Sequence, residues 1–180
     1  NNRTLVGGVT DGNCIIVDTT DVKTYGGRTY IANNICTNNG GRGIHVFQAG
    51  NVVAVNNTLY HDMQTAKLKE EGGELSAVAA TNVVFRNNLV VARDDRKSVH
   101  EVKSDNVSFE SNLYQQAGKG GPKPKDADRA ELQVGDIGLT APDQGDFTLR
   151  AGSPAIDNGM TDGAPATDAR GNKRSGKPDI

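Results

Sequence analysis

Tryptophan is absent from this 180-residue chain, and phenylalanine and tyrosine together make up only 4% of it. A sandwich or bundle core held by large aromatic rings is therefore excluded. Long segments with apolar residues at helical spacing are also missing, which excludes a helical bundle. No apolar run reaches the length needed to span a membrane. Positive charge is not in excess: 20 Lys and Arg face 22 Asp and Glu, for a net charge of −2 and a pI near 5.9. The basic footprint of a nucleic-acid-binding protein is thus lacking. Two cysteines and three histidines are too few for a structural zinc site.

Glycine and asparagine, by contrast, are plentiful, and the asparagines are ordered. Four segments repeat one pattern: Arg28-Thr-Tyr-Ile-Ala-Asn-Asn34-Ile, Asn51-Val-Val-Ala-Val-Asn-Asn57-Thr, Asn82-Val-Val-Phe-Arg-Asn-Asn88-Leu and Asn106-Val-Ser-Phe-Glu-Ser-Asn112-Leu. Each is a β-type run closed by an asparagine. The closing asparagines are 23, 31 and 24 residues apart. A period of this length signals a solenoid of stacked units. Asparagine suits the corner because it tolerates the left-handed conformation of a tight bend. Its amide can also donate to and accept from the equivalent residue in the next coil.

A second strand series interleaves with the first: Ile15-Ile16-Val17, Ile44-His45-Val46, Ala77-Val78-Ala79 and His100-Glu101-Val102. The expectation is an all-β parallel solenoid of about five coils, with strands about 4.8 Å apart. Alternation turns Thr29, Val52, Val83 and Val107 inward with Ile31, Ala54, Phe85 and Phe109. Ala32, Val55, Arg86 and Glu110 then face solvent. In the other series Ile15, Ile44, Ser76 and His100 share the inward parity, which makes His100 a core histidine. Ile16, His45, Ala77 and Glu101 point outward. Residues 1–114 are read as the coils, 115–145 as a Gly-, Pro- and Lys-rich loop or linker, and 146–180 as a tail that runs along the rod and caps its C-terminal end.

Cys14 and Cys36 are 22 residues apart, close to one coil. Their positions in the repeat differ, so they are expected on different walls as buried or free thiols; a bridge between neighbouring coils is the alternative. No signal peptide is recognisable, and the chain opens on strand-like Arg3-Thr4-Leu5-Val6. The expectation is the C-terminal part of a longer solenoid, whose preceding coils, or another chain, would cover the open end.

The asparagine-closed repeats, Gly40-Gly-Arg-Gly-Ile-His-Val-Phe47 and the tail Phe147-Thr-Leu-Arg-Ala-Gly-Ser-Pro-Ala-Ile-Asp-Asn-Gly159 resemble bacterial secreted right-handed parallel β-helix proteins of the pectate-lyase-like superfamily. The resemblance covers nearly the whole chain. It implies a right-handed parallel β-helix, a secreted or cell-surface location and a polysaccharide partner. Fold alone does not settle activity. Lyases of that superfamily remove the proton beside a uronate carboxylate with Lys, Arg or His, and neutralise the carboxylate with Ca²⁺ or Arg. Hydrolases of the same fold use carboxylate pairs.

On this chain the corresponding candidates are His45 and Arg42 as proton-handling or carboxylate-binding groups. Asp11, Asp18 and Asp21 are candidate Ca²⁺ ligands, although they lack the spacing of a dedicated calcium loop. Glu74, Tyr60, His61 and Lys67 are candidate substrate contacts beside a groove walled by the insertion that lengthens one coil to 31 residues. Of the tyrosines, Tyr25, Tyr60 and Tyr114 are best placed to stack on sugar rings. Their scarcity favours an anionic substrate held by charge. The expected function is an extracellular protein that degrades an acidic polysaccharide, as a lyase first and a glycoside hydrolase second. The alternative is a non-catalytic carbohydrate-binding or structural solenoid.

Overall fold

The computed structural model describes residues 11–68, 72–115 and 132–180. The opening strand-like segment, residues 69–71 of the insertion and most of the expected linker lie outside the described residues. Three parallel sheets run the length of a solenoid. Sheet A stacks β1 (Ile15–Asp18), β4 (Ile44–Phe47), β7 (Leu75–Val78) and β10 (Val99–Val102). Sheet B stacks β2 (Thr29–Ala32), β5 (Gly50–Val55), β8 (Thr81–Arg86) and β11 (Asp105–Glu110). Sheet C stacks β3 (Ile35–Thr37), β6 (Thr58–Tyr60), β9 (Leu89–Val91), β12 (Leu113–Gln115) and β13 (Leu132–Val134). One coil therefore has three strands and not two. Sheet C is the wall that the repeat conceals, because its strands are only three residues long and follow directly on the asparagine.

Inside, Val52, Val83, Ala54, Phe85 and Phe109 form the expected stack on sheet B, with the rings of Phe85 and Phe109 5.1 Å apart. Sheet A departs from expectation by one residue in its last two strands. Ile44 aligns with Leu75, and Leu75 with Val99. A one-residue slip exchanges the faces of a strand, so Ser76 and His100 stand in the outward column with Ile16 and His45. His100 is not a core histidine. In the second to fourth coils the constant feature is an offset of 13 residues from the inward residue (Ile44, Leu75, Val99) to its ladder asparagine (Asn57, Asn88, Asn112), whereas in the first coil Ile15 precedes Asn34 by 19.

The corner between sheets B and C divides its work between two neighbouring residues. Asn33, Asn56, Asn87 and Ser111 take the left-handed backbone, with φ between 51° and 57°. The residues after them, Asn34, Asn57, Asn88 and Asn112, turn their amides inward and form the ladder. Each Nδ2 donates to the Oδ1 of the next coil, at 2.9 Å from Asn34 to Asn57, 3.0 Å from Asn57 to Asn88 and 2.8 Å from Asn88 to Asn112. The same Oδ1 atoms accept the backbone N–H groups of Asn34, Asn57 and Asn88. The second amide proton of Asn57, Asn88 and Asn112 goes to the carbonyls of Ile31, Ala54 and Phe85. Expecting one asparagine to be both bend and ladder was therefore half right: the sterically permissive residue is the one before.

The left-handed asparagines serve a second purpose, because their side chains face outward and hold the tail. Asn33 donates to the carbonyl of Thr167 (2.9 Å), Asn56 to that of Asp179 (2.8 Å) and Asn87 to that of Met160 (2.8 Å). Arg86 and Glu110 pair with each other on the outer face of sheet B, and Arg86 also binds Asp162 of the tail at 2.7 Å. The tail thus lies along the side of the rod, as expected, with these contacts running from the third coil back to the first. The supposed linker is also more ordered than expected after residue 131. There β14 (Leu139–Ala141) pairs antiparallel with β15 (Asp146–Leu149). This hairpin and its neighbours bring Ile137, Leu139, Ala155 and Ile180 onto Tyr60, Leu89, Val91 and Leu113, the outward side chains of sheet C. Along β9 both faces of that sheet are consequently dry, which explains the unbroken Leu89-Val90-Val91 run, whereas Ile35 of β3 stays exposed.

Cys14 and Cys36 form a disulfide, with Cα atoms 5.7 Å apart. They do lie on different walls, at the start of sheet A and on sheet C. Both point into the lumen of the first coil, however, where those walls converge on one corner, and this overturns the expectation of two thiols.

Asn57→Ala is expected to lower stability by about 3 kcal/mol, because it breaks the ladder and orphans buried donors on both sides. Asn56→Gly, which keeps the bend and loses one bond to the tail, should cost about 1 kcal/mol. Urea unfolding of the two variants would measure the difference. In the same assay, reduction of the disulfide should remove about 3 kcal/mol, the entropy of closing a loop of this length.

Candidate functional site

The tail covers sheet C and the corner beside it, and it contributes no residue to the described lining of the groove on the outer face of sheet A. That groove, of about 480 Å³, is lined by Asp11, Ile16, Asp18, Arg42, His45, Phe47, Val78, His100 and Val102. Parallel register builds it. The column Ile16–His45–Ser76–His100 lies beside the column Asp18–Phe47–Val78–Val102, one residue from each coil. Stacked strands place equivalent side chains about 4.8 Å apart, so the two imidazoles are roughly two strand spacings apart, with Ser76 between them. The Ser76 hydroxyl approaches His100 Nδ1 at 3.5 Å. The second column is largely aliphatic and gives the groove one greasy wall opposite its polar one.

Arg42 enters from the turn preceding β4. Its guanidinium Nη1 lies 3.2 Å from Asp11 Oδ2, and the arginine is buried while the aspartate is half exposed. The turn is tight because Gly41 and Gly43 have no room for a side chain: a Cβ on Gly41 would strike the Asp11 backbone, and one on Gly43 the Leu59 side chain and the Glu74 carbonyl. This is the close approach that glycine permits.

His45 is only 3% exposed, packed beside Phe47 with ring centroids 5.7 Å apart. Its Nδ1 is buried and has no hydrogen-bond partner among the described residues. Burial first, and the Arg42 cation second, lower its pKa to about 4, against smaller opposing pulls from Asp11 and the Ser76 backbone. At neutral pH His45 is therefore an uncharged imidazole beside an arginine.

Of the residues singled out from sequence, the fold gathers Arg42, His45, Asp11 and Asp18 into this groove. Asp21 is exposed and outside it, with its Oδ1 accepting the Lys23 N–H in a local turn at 2.9 Å. Among the described residues no three His, Cys, Asp or Glu side chains are clustered closely enough to hold a metal ion. Asp11 is committed to Arg42, and Asp18 accepts the Thr19 hydroxyl at 2.6 Å. This donor set does not fit the oxygen cage that Ca²⁺ needs.

Glu74 is completely buried behind the groove and cannot touch a substrate there. Lys67 is exposed on a short 3-10 turn, Ala66–Leu68, away from the groove lining. Tyr60 and His61 stack at 4.0 Å on sheet C, beneath the tail, where Tyr60 donates to Asp143 at 2.7 Å. Burial, followed by that bond, pushes Tyr60 up to about 12. Tyr114 is in the core, which leaves Tyr25 as the exposed member of the three proposed sugar-stacking tyrosines. His100 is the groove residue that sequence reasoning missed, and the constant 13-residue offset to the ladder asparagine is the signal that finds it.

Three stacked parallel sheets around an inward asparagine ladder define a β solenoid with an open groove on one wall. The family model describing the right-handed beta helix region matches residues 7–131, and the chain belongs to that family. A search of curated proteins and a search of solved structures each give no match.

The depressed His45 pKa makes stability depend on pH. The unfolded chain binds a proton near pH 6.5 and the folded one near pH 4, so His45 favours folding above 6.5 and loses that contribution as pH falls towards 4. The loss amounts to about 3 kcal/mol. His45→Gln should flatten this part of the profile in urea unfolding between those pH values.

Proposed function

We propose that the protein binds an acidic polysaccharide along sheet A and cleaves it by elimination, as a secreted or cell-surface protein. The observation that carries this reading is the pairing of an uncharged imidazole, His45, with the Arg42 guanidinium in one open groove. An elimination needs both groups. The cation draws charge from the uronate carboxylate and so acidifies the neighbouring C–H, and the imidazole accepts that proton. The electrons of the C–H bond then form a C=C bond and expel the glycosidic oxygen, which takes a proton from water. The Asp11–Arg42 contact is a half-exposed ion pair of the kind that contributes little stability. An incoming carboxylate can take the place of Asp11, and with it the wall above His45. No step needs a metal. The disulfide supports an oxidising, extracellular setting.

A second reading, binding without cleavage, is favoured by the depth of His45: a proton acceptor must be within reach of the reacting carbon. The two separate cleanly. Uronate polysaccharides offered to the protein, with and without Ca²⁺, should give the ultraviolet absorbance of unsaturated ends, and His45→Gln or Arg42→Ala should reduce the rate at least 100-fold. Calorimetric binding with no new absorbance and no new reducing ends would leave a carbohydrate-binding solenoid. Neither cleavage nor binding would remove acidic polysaccharides from consideration.

A further inference from the structure

Behind the turn that carries Arg42, in the corner between sheets C and A, lie two carboxyl groups that take no direct part in the groove. Asp62 and Glu74 are both 0% exposed. Asp62 Oδ1 accepts the backbone N–H and the side-chain amide of Asn39 at 2.8 and 2.7 Å. Glu74 Oε1 accepts the Asp62 N–H at 2.9 Å. The remaining oxygens, Asp62 Oδ2 and Glu74 Oε2, meet no N–H or hydroxyl donor among the described residues. Two adjacent carboxylates at such depth, with no cation paired to either among the described residues, do not both stay ionised. A single proton between them satisfies both orphan oxygens at once.

We infer that Asp62 and Glu74 share one proton, carried by Glu74 and donated to Asp62, and that this pair is a positioning element for Arg42. The proton belongs on Glu74 because Asp62 receives two N–H donors, which favour its ionised form, and Glu74 receives one. Burial first, and the Asp62 charge second, hold Glu74 well above the usual carboxylate range, against a weaker opposing pull from Arg93. Burial likewise raises Asp62, and the Asn39 bonds oppose it.

The link to the groove is steric and direct. The space where a Gly43 Cβ would sit is filled by the Leu59 side chain, the Glu74 carbonyl and, 3.0 Å away, Asp62 Oδ2. The backbone around the turn is tied to the same two segments: Ile44 N–H donates to the Glu74 carbonyl at 2.8 Å and Met63 N–H to the Gly41 carbonyl at 2.7 Å. A second negative charge on the pair would push these segments apart and move the turn from which Arg42 projects. Among the described residues Arg93 acts on the pair by charge; Arg42 projects from the turn packed against it, Arg96 donates to the Met63 carbonyl beside Asp62, and the Lys97 carbonyl accepts the Glu74 N–H. The value of Arg42 to a ligand rests on the function proposed above; the shared proton does not.

Three measurements test this without any polysaccharide. At about pH 7 the infrared spectrum of the wild type should show a protonated-carboxyl C=O stretch that Glu74→Gln removes; its absence from the wild type overturns the shared proton. Above pH 6.5, where His45 no longer titrates, the wild-type folding equilibrium constant should fall with rising pH, with a limiting slope of about tenfold per unit for one proton held by the folded state alone. Glu74→Gln, whose amide still donates to Asp62, should fold well and lose that slope, and parallel profiles for the two proteins would sink the idea. The positioning role is read at His45, whose low pKa depends partly on Arg42. By NMR the His45 titration should be unchanged in Glu74→Gln, move upward in Arg42→Ala, and move upward in Glu74→Ala if that variant folds. A folded Glu74→Ala with the wild-type His45 titration would show that the pair has no hold on Arg42.

Discussion

The inward asparagine ladder is the constraint from which the rest of the molecule follows. A parallel solenoid must turn its backbone three times per coil, and each turn strands peptide groups that no strand partner can reach. At the corner between sheets B and C the ladder supplies those partners from within the lumen, with Oδ1 of one coil serving both the backbone and the side chain of its neighbour. Where the offset to sheet A is constant, in the second to fourth coils, it also sets their axial register. Once Asn57 lies over Asn88, Ile44 must lie over Leu75 and His45 over Ser76. The groove on sheet A is thus a consequence of amides on the far side of the rod.

With the interior settled, the outer faces become distinct surfaces. Sheet C is covered by the C-terminal hairpin and its apolar neighbours, and the edge of sheet B next to the asparagine corner is strapped by Met160, Asp162 and Thr167. These contacts use aliphatic packing and hydrogen bonds to outward asparagines, so the tail reads the repeat from outside as the ladder does from inside. Sheet A carries a groove along which side chains from successive coils stand in columns. That geometry suits an extended ligand running along the rod, because stacked strands repeat a chemical environment at regular intervals.

The groove and the buried carboxyl pair behind it show how a thin solenoid wall couples its two sides. Arg42 and Gly43 form one turn with two surfaces: the guanidinium meets Asp11 in the groove, and the glycine backbone rests against Asp62 and Leu59. Among the described residues no second layer of structure braces Arg42. The bracing comes from the next coil, through the Glu74 carbonyl and the proton we place between Asp62 and Glu74.

The asparagine period, the β-branched runs and the lack of aromatics were enough to specify a parallel solenoid, its inward face on sheet B and the outward position of His45, because those features are local and repeat at every coil. Of the group Asp11, Asp18, Asp21, Arg42, His45 and Glu74 read from the sequence, Asp11, Asp18, Arg42 and His45 line the groove, while Asp21 and Glu74 do not. Tertiary structure decided what depends on register between coils or on the path of the tail. It moved His100 from core to groove, because coils of unequal length hide a one-residue slip. It joined Cys14 to Cys36 across the lumen, sealed Tyr60 and His61 beneath the tail, and buried Glu74 against Asp62. Each of these outcomes turns on which residues of distant coils meet across a wall, and a linear repeat carries no record of that distance.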